Sequence, residues 1–70
     1  MEEYDRKYVK FEDVVCLKET EKAVLVSCDE FPQDIWIPVS QISDDSDVFA
    51  EGHEGDLIIT RWIAEQKDLL

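Results

Sequence analysis

The 70-residue chain is poor in the residues that punctuate or staple small domains, with two glycines, two prolines, two cysteines and one histidine. Two cysteines, Cys16 and Cys28, are too few for the disulfide framework that small secreted domains use in place of a large core. If Thr20 and Glu21 form a hairpin turn, Glu19 faces Lys22, Cys16 faces Leu25 and Cys28 faces Asp13. At about 3.4 Å per residue that register keeps the two cysteines roughly 10 Å apart, beyond disulfide reach. No CxxC pair or Cys/His cluster is present, so both thiols read as reduced, half-buried structural residues. No glycine-rich stretch is available to cradle a phosphate. The N-terminal "MEEYDRKYVK" lacks the apolar centre of a signal peptide. No apolar run approaches the roughly 20 residues of a membrane span. These shortages imply a cytoplasmic chain without membrane contact.

Positive charge is the other scarcity. The formal net charge is −11, and between Lys22 and Arg61 there is no lysine or arginine. The same interval holds nine acids: Asp29, Glu30, Asp34, Asp44, Asp45, Asp47, Glu51, Glu54 and Asp56. Nucleic-acid affinity comes largely from Lys and Arg displacing counterions, so this surface repels phosphate backbones and steers basic proteins inward.

What is plentiful is β-branched and aliphatic sequence, with 44% hydrophobic residues overall. Seventy residues make one domain, residues 1–70, near the lower size limit for unaided folding. "YVKFEDVVCLK" (Tyr8 to Lys18) reads as a strand bulged near Glu12 and Asp13, and "AVLVSC" (Ala23 to Cys28) as its hairpin partner. Both faces of this pair are largely apolar, which suggests strands wrapped inside a curled sheet or barrel. "IWIPV" (Ile35 to Val39) is a third strand, with Ile35, Ile37 and Val39 facing inward and Trp36 and Pro38 on the opposite face. Pro38 lacks an amide donor and belongs on an edge or at a strand end. "SQI" (Ser40 to Ile42) reads as a 3₁₀ turn and residues 43–56 as a polar loop pinned by Val48 and Phe49. Leu57 to Trp62 form a fourth strand, followed by a short helix capped by Thr60 or the next residue. On that helix Trp62, Gln66 and Leu69 share a stripe, which would lay Trp62 over the barrel mouth. The expected fold is mainly β: a small antiparallel curled sheet or barrel of four to five strands, Src-homology-3- or OB-like, with a short C-terminal helix.

The stretch "WIPVSQI" resembles the Src-homology-3 barrel, where a Trp/Phe-x-Pro-x-Ser/Asn-x-Val run sets a 3₁₀ turn between the last two strands. That resemblance does not extend to the other aromatic positions of that family's peptide groove. More broadly, "ETEKAVLV … DIWIPVSQI … DLIITRWIAEQKDL" looks like small uncharacterised proteins of bacterial viruses and prophages. It implies a phage or mobile-element setting, hence a host cytoplasm, and assigns no site residues.

The candidate chemistry is sparse. Counting an EF-hand loop from Asp45, the fifth and sixth positions, which need an oxygen ligand and a glycine, are Phe49 and Ala50. His53 has no serine, cysteine or second histidine beside it in sequence to complete a catalytic set. No enzyme activity, metal or cofactor is implied. Trp36 stands opposite Ile35 and Ile37, so it is either exposed or covered by the C-terminal helix. Exposed, it joins Phe31 and Pro32 in an apolar patch ringed by Asp29, Glu30 and Asp34, the pattern of a protein-binding anchor. With Asp44, Asp45 and Asp47 these residues form the candidate partner-binding set. The leading expectation is a non-catalytic acidic module for a basic protein partner, including a nucleic-acid mimic of the anti-CRISPR or anti-defence kind. The alternative is a small barrel for single-stranded nucleic acid, stacking bases on Trp36, Tyr8 or Phe11 with help from Arg6, Lys7, Lys10, Lys18 and Lys22.

Overall fold

A computed structural model describes residues 7–70; Arg6 of the nucleic-acid alternative lies outside the described residues. Four strands, β1 (Tyr8–Glu19), β2 (Ala23–Ser27), β3 (Ile35–Pro38) and β4 (Glu54–Thr60), form one antiparallel sheet in the order β3-β2-β1-β4. A 3₁₀ turn over Val39–Gln41 separates β3 from β4, and a short helix, α1 (Arg61–Gln66), follows β4.

The length of β1 explains the curl. Its first half pairs with β4, from Tyr8 opposite Thr60 to Val15 opposite Glu54, and its second half pairs with β2. Between Phe11 and Val14 the β1–β4 register shifts, at the bulge expected near Glu12 and Asp13. Asp13 has φ 58°, a left-handed conformation that aspartate tolerates better than most residues. A second irregularity, between Cys16 and Lys18, corrects the expected hairpin register. Cys16 lies opposite Val26 rather than Leu25, and Glu19 opposite Val24 rather than Lys22. The Thr20 amide donates to Ala23 C=O at 2.8 Å, so the turn is made by Glu21 and Lys22, one residue later than expected. The extra residue at Leu17 takes up part of that shift.

The sheet is curled but not closed. Beyond the 3₁₀ turn, Ile42 makes an isolated bridge to Ile59, and the Ser43 amide donates to Ile58 C=O at 2.8 Å. Those contacts stitch one side of β4 to the chain leaving β3. Inside the curl lie Phe11, Val14, Cys16, Val24, Val26, Ile35, Ile37, Leu57 and Ile59, joined by Phe31, Val48, Ile63 and Ala64. Val39 departs from its expected inward position: β3 ends at Pro38, the turn begins at Val39, and its side chain is exposed.

The Thr60 hydroxyl accepts from the Ile63 amide at 3.2 Å, the N-cap that the sequence suggested. With Thr60 as cap, Ile63 and Ala64 turn inward and Trp62 turns out, 58% exposed, rather than onto the barrel mouth. The helix stops at a Schellman motif: Leu69 N–H donates to Ala64 C=O, Asp68 N–H donates to Glu65 C=O, and Asp68 has φ 61°. Leu69 is thereby folded back against the core.

Candidate functional site

Alternation along β2 and β3 sends Val24, Val26, Ile35 and Ile37 inward and leaves Leu25 and Trp36 directly opposite one another on the outer face. On the other side of Leu25, the irregularity at Leu17 brings both Leu17 and Lys18 outward. Leu17 and Trp36 are each 41% exposed, so an apolar strip runs from β1 across Leu25 to β3. Half-buried Val15, Ala23 and Pro38 border it. The second apolar face legible in the sequence is therefore real. It is not wrapped inside the sheet, as expected, but faces outward.

Trp36 is bordered, not covered, by the end of the helix region: Lys67 and Asp68 stand across an open crevice of about 350 Å³ from Pro32, Gln33, Asp34, Ile35 and Trp36. Asp29, Glu30 and Asp34 are exposed on the β2–β3 connection, where the acid rim was expected. Phe31 is not part of that patch. It is 8% exposed and meets Phe11 edge-on, ring centroids 5.2 Å apart. A turn residue can fold under as readily as out, and here the Phe31 amide donates back to Cys28 C=O at 3.0 Å, closing a tight turn over the core. Its place on this face is taken by Leu25 and, beyond it, Leu17, which the expected register with Cys16 opposite Leu25 does not bring together.

The second acidic group is built differently. Asp44 and Asp45 are exposed, and the Asp45 amide donates to the Ser43 hydroxyl at 3.1 Å. Asp47 is tied in: its amide donates to Asp56 C=O at 2.8 Å, and its carboxylate accepts from the Asp56 amide at 3.3 Å. Beneath them Ser46 is buried, and its hydroxyl oxygen accepts from the Val48 and Ile58 amides at 3.2 and 3.3 Å. Its one hydrogen lies within reach of both Val48 C=O (3.1 Å) and Asp56 C=O (3.2 Å). Sequence reasoning missed Ser46 because nothing local marks a serine that serves amides two and twelve residues away. Val48 pins the loop as expected, whereas Phe49 is exposed and lies edge-on to His53 at 4.5 Å. His53 Nδ1 accepts from the Phe49 amide at 3.4 Å, which gives this histidine a loop-organising contact.

Among the described residues no group of three or more His, Cys, Asp or Glu side chains could hold a metal ion, and no helix is long and apolar enough to cross a membrane. Both cysteines are free thiols; burial pushes the Cys16 thiol above its usual pKa. The chain matches no family model, and neither a curated protein nor a solved structure matches it significantly.

Proposed function

We propose that this chain is a non-catalytic interaction module that captures a basic protein partner on the outer face of its sheet. The observation that carries this reading is Trp36: a large aromatic side chain left 41% exposed beside Leu25, with carboxylates at the entry to its strand. Apolar anchors with a charged rim are where binding energy concentrates in protein interfaces. Asp29, Glu30 and Asp34 lie before β3, and Asp44, Asp45 and Asp47 follow the 3₁₀ turn. Acids thus flank Trp36 on both sides in sequence, as suits a lysine- or arginine-rich surface or a mimic of phosphate charge. A phage or mobile-element setting, implied by the sequence resemblance, would make host nucleic-acid-handling proteins natural targets, as for anti-CRISPR and other anti-defence proteins.

A second reading, single-stranded nucleic-acid binding, is favoured by one observation: Lys18 shares the outer face with Trp36, on the far side of Leu25. Against it, Phe11 is in the core and cannot stack on a base. Fluorescence separates the two in a Trp62→Phe background, where Trp36 is the remaining tryptophan. A basic peptide should give a saturable change, while single-stranded DNA at low salt gives none; calorimetric titration of the same peptide should show that Trp36→Ala weakens it at least tenfold. A micromolar, salt-sensitive quench by DNA would overturn the protein-partner reading.

A further inference from the structure

The hydrogen-bond phase of β3 carries the proposal further, to how a partner is held. The Val39 amide donates to Lys22 C=O at 2.8 Å, which makes residues 22 and 39 a directly bonded pair in the β2–β3 register. Bonded and non-bonded pairs alternate along an antiparallel ladder. Ile37 and Ile35 are therefore bonded to Val24 and Val26, whereas Trp36, opposite Leu25, turns its N–H and C=O away from β2. The same phase turns the backbone of Asp34 outward.

Since β3 is the last strand of the sheet, those groups lie on its outer edge, and among the described residues neither Trp36 nor Asp34 has a backbone hydrogen-bond partner beyond the ladder. Natural edges are commonly blunted by proline or charge. Here Pro38 removes a donor at the far end of β3 only, and at the other end the edge carries the Asp34 carboxylate, a charge that turns away acidic strands but not basic ones. That end opens onto the crevice lined by Ile35, Trp36, Lys67 and Asp68.

We infer that β3 is a strand-addition site: an extended, basic segment of a partner protein pairs with Asp34 and Trp36 as a fifth strand. Its outward side chains lie beside Trp36, its inward ones enter the crevice, and its cations meet Asp29, Glu30 and Asp34. Charge selects this occupant over a second copy of the chain, because each copy brings a net charge of −11 to the same edge. The inference rests on the partner-capture reading and adds the backbone to it.

The test uses a short synthetic peptide of alternating lysine and valine, and the same peptide with every backbone amide N-methylated. The two carry equal charge, but only the first has an edge that can pair with a strand. Titrated into the intact protein, the first should slow hydrogen exchange at the Trp36 amide at least tenfold, and the methylated peptide should bind at least tenfold more weakly. A chemically synthesised chain N-methylated at Trp36 should fold with unchanged circular dichroism and also lose peptide binding at least tenfold. Equal binding of both peptides, abolished by Trp36→Ala, overturns strand addition and leaves side-chain capture standing. Failure of both peptides to bind overturns both readings. Concentration-dependent dimerisation that is lost on N-methylation overturns the basic occupant in favour of a second copy.

Discussion

Between Cys28 and Asp34 the chain carries three carboxylates over one buried side chain, Phe31; between Ser43 and Asp56 it carries six, over a buried serine and a buried valine. The longer segment is the more firmly organised. Its backbone bonds to β4 through Ser43 and Asp47, reaches β1 through Gly52, and wraps around the Ser46 hydroxyl. The shorter one is a turn ending at a free strand edge. Acid density alone therefore does not mark a working surface. What separates the two segments is where their backbone polar groups go: to β1, β4 and Ser46 in one, and into a local turn at Cys28 that leaves Asp34 facing outward beside Trp36 in the other.

The comparison breaks most severely at Phe31. Phe31→Ala empties an edge-to-face contact in the core and should cost about 3 kcal/mol, whereas Trp36→Ala should cost less than about 1 kcal/mol. Urea unfolding of the two variants checks the contrast, and similar losses would mean that Trp36 is a core residue. Next comes Ser46→Ala, which strands the Val48 and Ile58 amides and should cost about 2 kcal/mol. A smaller effect follows from the two glycines of the longer segment, Gly52 in the loop and Gly55 at the start of β4, both at positive φ. A Cβ on Gly55 would meet the Asp47 carboxylate oxygen at 3.0 Å, while one on Gly52 meets nothing within 4 Å. Gly55→Ala should cost about 1–2 kcal/mol and exceed Gly52→Ala in melting-temperature loss.

The smallest perturbation is chemical labelling. Half-buried Cys28 should react with a thiol reagent well before Cys16, which is buried. Burial holds the Cys16 thiol protonated to higher pH than an ordinary cysteine, so its reactive thiolate forms only as pH rises past the usual thiol range. Mass mapping of the modified peptides between neutral and alkaline pH gives the order, and equal rates at neutral pH would contradict the packing around Cys16.

Local signals in the sequence held up where the cause was local. The bulge at Glu12–Asp13, the Thr60 cap and the strand-terminating Pro38 each depend on neighbours within a few residues. The β1–β2 register did not, because the irregularity at Leu17 carries no glycine or proline to announce it. A stripe through Trp62, Gln66 and Leu69 turns Trp62 toward the barrel mouth, but the helix ends at Gln66 and the chain reverses at Asp68, so Leu69 is not on α1. Trp36 as an outward residue was legible from alternation. Its companions Leu25 and Leu17 needed the true register, and its open backbone needed the ladder phase.

The sharing of β1 between two partners also orders events in time. β2 follows within a few residues, so the second half of β1 can pair within about 1–10 microseconds of being free to move. The first half waits for β4, whose pairing residues begin at Glu54. At a ribosomal pace of about 5–20 residues per second, that is an interval of roughly 2–8 seconds. For that time Phe11 and its neighbours lie on an unpaired strand, and a nascent chain surrounded by its own carboxylates is guarded against sticking to other growing copies. The chain's acidity thus acts on the growing chain as well as on the folded surface.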